Sequence, residues 1–167
     1  MIGRISGALA LLAVLAAGPV QARELAFKAS LSGDRAPTMT GSKATGQAMI
    51  LVNTDTQTVD MALNVEGLTI ENLSTGLLKS PMGAIHLHVY GSHDHSNPDS
   101  AALMFPAPYG PAYAATAKGF KVEMKAEPGA AGARLVNSKA SFDEFVSALQ
   151  TGRIVVTDLH NFATPLI

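Results

Sequence analysis

His86-Leu87-His88 places two imidazoles two residues apart in an apolar, extended setting. In a β-strand side chains alternate between faces, so both rings project from one face while Ile85, Leu87 and Val89 point to the other. Two neutral imidazoles on one face are half of a transition-metal site. The chain has five histidines; four fall between residues 86 and 95, and the fifth is His160. His160 closes the last apolar run, among Asp158, Asn161 and Phe162, with Pro165 behind it. If that run lies beside Ile85–Val89, a third imidazole arrives from across the sheet. Three imidazoles with an open position suit copper or zinc, and differ from the all-oxygen sites of magnesium and calcium. Copper is the expected ion, with zinc open because imidazole serves both.

The other candidate donors have competing explanations. His93 and His95 sit in Gly91-Ser92-His93-Asp94-His95-Ser96-Asn97-Pro98, which is loop composition. They could form a second metal site, supply a flexible further ligand, or stand in solvent. Asp94 and Asp99 are oxygen ligands, acceptors behind a ligand, or turn residues. Met82, four residues before His86, is the thioether worth inspecting, since soft sulfur suits Cu(I). Met49, Met61 and Met124 fall in strand patterns, where filling the core is the ordinary role.

Composition narrows the alternatives. There is no cysteine, which removes disulfides, thiolate metal sites and thiol catalysis. No serine stands in a G-x-S-x-G elbow, and no phosphate-cradling glycine motif is present. Lys plus Arg is 12 against 13 for Asp plus Glu, without a basic block, which argues against nucleic acid. A basic amphipathic helix for a membrane surface is missing too. Residues 1–22 read as a signal peptide: Arg4 is the positive region, Ala8 to Ala17 the apolar run, and Val20-Gln21-Ala22 an A-x-A-like cleavage site. The apolar run is too short for a mature transmembrane helix. The expectation is a periplasmic or secreted protein, free of the membrane after cleavage, with residues 23–167 as a single domain.

Those residues read mostly as strands. Leu25 to Leu31 alternates, Gly46 to Val52 is apolar, and Val59, Met61, Leu63 and Val65 alternate cleanly with Thr58, Asp60, Ala62 and Asn64. The polar Asn53-Thr54-Asp55-Thr56-Gln57 between the last two predicts a hairpin. Ile85 to Val89, Ala101 to Phe105, Phe120 to Ala126 and Arg153 to His160 add further strands. The stretches Pro106 to Pro111 and Pro128 to Gly132 read as loops. Ser141 followed by Glu144 is a capping-box signature for one helix carrying Phe142, Phe145, Val146 and Leu149, stopped by Gly152. The pattern predicts an all-β, antiparallel sandwich or barrel with one short helix before the last strand.

Several motifs occur in the order found in CHRD domains, the repeats of chordin that also occur singly in exported bacterial proteins. Leu31-Ser32-Gly33, Pro37 and Thr45-Gly46-Gln47-Ala48 resemble the family's opening, and Val65-Glu66-Gly67-Leu68 its next segment. Ala84-Ile85-His86-Leu87-His88-Val89-Tyr90-Gly91 resembles its A-H-I-H-x-G motif. Leu149-Gln150-Thr151-Gly152, then Val155 to His160 and Pro165, resemble its ending. The resemblance implies an immunoglobulin-like, Greek-key β-sandwich. The layout is also similar to copper–zinc superoxide dismutase, with an H-x-H strand and a late histidine, although the cysteines and the late arginine of that family are absent. Three functions follow as expectations. The first is copper storage, buffering or delivery through His86, His88 and His160. The second is a dismutase-type redox enzyme at the same site, and the third a metal-free adhesion module. A metal-delivery partner, or a second copy paired through a sheet edge, stays open.

Overall fold

The computed structural model describes residues 23–33, 41–89, 102–129, 131, 141–151 and 155–159. Strands β1 (Glu24–Ser32), β2 (Thr45–Asn53) and β3 (Thr58–Glu66) form an antiparallel meander. The β2–β3 hairpin closes with Asn53 opposite Thr58. The Asn53 side chain accepts the N–H groups of Asp55 and Thr56 at 3.0 Å, which holds the polar turn expected there. Alternation decides which face is buried. Ala48, Ile50 and Val52 on β2 and Val59, Met61, Leu63 and Val65 on β3 all turn inward.

A single-turn 3-10 segment (Ile70–Asn72) and a one-turn helix α1 (Thr75–Leu78) carry the chain to β4 (Ile85–Val89). Then follow β5 (Ala102–Ala107), β6 (Tyr113–Ala115), β7 (Gly119–Pro128), helix α2 (Phe142–Thr151) and β8 (Val155–Leu159). Two sheets result among the described residues, five strands in the order β1-β2-β3-β7-β6 and three in the order β5-β4-β8. All their pairings are antiparallel. One core joins them, with Met61, Leu63, Phe120 and Val122 from the larger sheet and Ile85, Leu87 and Phe105 from the smaller. The protein is an all-β sandwich with a short helix near its C-terminal end.

The helix starts as its sequence predicts. The Ser141 hydroxyl accepts the Glu144 N–H at 3.2 Å, and Phe142, Phe145 and Ala148 form the buried face. The Phe142 ring occupies the space that a Cβ on Gly129 would need, next to Val59, so α2 packs at the end of β3 and β7. Gly152, its expected stop, lies outside the described residues.

Three of the strands depart from the expectation. Strand β5 runs through Pro106 to Ala107 instead of ending at Phe105. Among the described residues it is the edge of its sheet, where a residue without an N–H costs no ladder bond on the open side. Strand β7 likewise runs through Pro128. The short β6 lies between Pro111 and Phe120, a stretch to which the sequence pattern assigns no element, and is tied down by Tyr113, whose hydroxyl donates to the Ala107 carbonyl at 2.6 Å. Burial pushes the Tyr113 phenol well above its ordinary pKa, so it stays a donor. That bond joins the larger sheet to the smaller.

Candidate metal centre

The H-x-H strand is the middle member of the three-stranded sheet, paired on one side with β5 and on the other with β8. Its inward residues Ile85, Leu87 and Val89 enter the core, which sends His86 and His88 to the opposite face together. The rings meet edge to face, with centroids 4.8 Å apart and planes inclined at 72°. His86 is 2 % exposed, the one polar side chain in the buried set among the described residues, whereas His88 is half-buried.

The orientation of His86 is fixed from behind. Its Nδ1 lies 3.2 Å from the Gly83 carbonyl oxygen. A carbonyl can only accept, so Nδ1 carries the hydrogen and the ring lone pair resides on Nε2. An imidazole held this way by a backbone carbonyl presents its far nitrogen as a ligand. Gly83 supplies that carbonyl from a conformation with φ +78°, and a Cβ there would lie 1.9 Å from the Ala107 oxygen. Only glycine satisfies both conditions. Spacing alone did not point to Gly83, although a glycine directly before a strand is a signal of close backbone approach.

Register fills in the neighbours. His86 stands opposite the buried Pro106 on β5 and opposite Asp158 on β8. His88 stands opposite Leu103 and Val156. Between Leu87 and His88 the β5 register slips by one residue, which makes Met104 the extra residue of a bulge beside the histidine pair. The last strand thus lies beside Ile85–Val89, with Leu159 opposite Ile85.

The remaining candidates divide simply. His160, His93 and His95 lie outside the described residues, as do Asp94 and Asp99. Met82 occupies a half-buried turn and donates its backbone N–H to the Ser80 hydroxyl at 3.1 Å. Among the described residues no group of three or more His, Cys, Asp or Glu side chains comes together as a ligand set. What the described site holds is two adjacent imidazoles, one of them with its tautomer set.

Fold and site together define a β-sandwich domain that carries a histidine pair on the central strand of its smaller sheet. The chain matches the CHRD domain over residues 27–157, and it belongs to that family. The match includes His86 and His88 and ends before His160. No curated protein and no solved structure matches the chain. Among the described residues, no helix is long and apolar enough to cross a membrane.

Proposed function

We propose that this is an exported CHRD-domain protein that holds a copper ion through His86, His88 and His160, for storage, buffering or delivery. The observation that carries the reading is the edge-to-face pair at 4.8 Å with the His86 tautomer set by Gly83. Two imidazoles so placed fit a cation that accepts nitrogen donors, and zinc would accept the same pair. In sequence, His160 shares parity with Val156 and Asp158, the positions that stand opposite His88 and His86. The absence of cysteine leaves imidazole as the strongest donor type in the chain. Support for export comes from the signal-like pattern of Arg4, Ala8 to Ala17 and Val20-Gln21-Ala22.

Titration of the purified, untagged chain with Cu(II) and Cu(I) tests the reading. One equivalent should bind, and His86→Ala/His88→Ala should weaken it more than about a hundredfold. Copper should also raise the melting temperature, because a ligand specific to the native state stabilises it. Equal affinity in the folded double variant would overturn the metal assignment. A melting temperature indifferent to both copper and zinc would favour the metal-free interaction module instead.

A further inference from the structure

Strand β1 is an edge. It pairs with β2, and among the described residues no strand pairs with its other side. The direction of its backbone groups follows from one bond. The Thr54 N–H donates to the Arg23 carbonyl at 3.2 Å, and residues 23 and 54 extend the β1–β2 register by one step. In an antiparallel ladder hydrogen-bonded and non-bonded pairs alternate, so 23, 25, 27, 29 and 31 aim their groups at β2. The N–H and C=O groups of Glu24, Ala26, Lys28, Ser30 and Ser32 therefore face outward. An open row of this kind is a template for another strand.

From this row we infer that β1 pairs with β1 of a second copy, antiparallel about a two-fold axis at Ala26. Charge selects that register. Centred on Ala26, Glu24 of each copy stands opposite Lys28 of the other, and Leu25 opposite Phe27. Centred on Lys28, the two lysines would oppose each other directly. Glu24, Ala26 and Lys28 are exposed on the outer face, while Leu25 and Phe27 are half-buried and already packed on the core margin. The pairing would thus continue both faces of the five-stranded sheet into a ten-stranded one, and it closes by symmetry without leaving the same edge open. The histidine pair lies in the other sheet, so this contact is independent of the metal reading.

Sedimentation equilibrium of the purified chain over a range of concentrations tests the inference. A monomer–dimer equilibrium is expected, with Lys28→Glu raising the dimer Kd about tenfold because both ion pairs become repulsive. Glu24→Lys combined with Lys28→Glu should restore the wild-type Kd. Ala26→Pro, which removes an outward N–H and no bond to β2, should abolish the dimer without unfolding the monomer. Since the chain has no cysteine, Ala26→Cys should oxidise to a symmetric covalent dimer and Ser32→Cys should not. A wild-type monomer at every concentration would overturn the inference. So would a dimer unmoved by Lys28→Glu and Ala26→Pro, which places the contact elsewhere.

Discussion

Strands β3 and β4 are both central in their sheets, yet they are buried in different ways. On β3 inward Val59, Met61, Leu63 and Val65 alternate with Asp60, Ala62 and Asn64, which are half-buried or exposed. On β4 four of the five residues are buried, including His86 on the face that a globular sheet would ordinarily give to solvent. The outward residues there are histidines, and a buried imidazole is costly unless its polar atoms are satisfied. The protein meets that requirement at His86 with a backbone carbonyl from the preceding turn. Both sheets take in a proline and a register slip, but among the described residues the smaller one alone buries a histidine. What sets the smaller sheet apart is the buried imidazole and the glycine carbonyl that satisfies it.

The sharpest way to break this contrast is at Gly83. Gly83→Ala should destabilise the fold by about 3 kcal/mol or more, since the new Cβ meets the Ala107 backbone in a left-handed conformation. Chemical denaturation measures this, and surviving folded protein should show the His86 ring freed to change tautomer by NMR. An Ala substitution at the exposed Gly76, where a Cβ meets nothing within 4 Å, should be close to neutral.

A smaller effect is expected where the two sheets are joined. Tyr113→Phe removes the donor to the Ala107 carbonyl and leaves a buried acceptor without it, for a loss of about 1–2 kcal/mol. Equal stability in Tyr113→Phe would mean the sheets are held by apolar packing alone.

The smallest effect belongs to the larger sheet. There the β3–β7 register slips between Val59 and Met61, and Ala126 adopts φ 52°. Asp60 bridges the irregularity, accepting the Ala126 N–H at 2.8 Å and Lys125 Nζ at 2.9 Å. These bonds, the Ala126 one first, hold the Asp60 carboxyl below its usual pKa. A carboxyl lowered by folding stabilises above its unfolded pKa of about 4 and loses that contribution as pH falls through the folded value. Asp60→Asn should therefore cost about 1 kcal/mol at pH 7, and the difference from wild type should close under more acidic conditions. Urea denaturation across pH reads both. A difference that persists in acid would assign the effect to packing.

The same contrast explains what could be read in advance. The β2–β3 hairpin is legible because one face is polar, so Thr58, Asp60 and Asn64 mark the alternation. The histidine pair is legible because period two is a local property of a strand. Pro106 misleads because edge status, which makes a proline harmless, is decided by tertiary pairing. Strand β6 is hidden because three residues cannot show a period, and its place depends on the Tyr113 hydroxyl reaching Ala107. Helix α1 around Gly76 leaves no periodic trace for the same reason. The partner of His86 is three residues away in sequence, but its role requires the unusual backbone of Gly83, which no spacing rule encodes.

Placing the two imidazoles on a strand laced to neighbours on both sides has a quantitative meaning for any Lewis acid that lands there. Once one ring has bound, the second need not be recruited from solution or swung in on a tether. It is already a ring's width away, 4.8 Å between centroids. Its effective concentration is on the order of molar, against the millimolar typical of a short flexible linker. Folding has completed the search for the second donor before the first one binds.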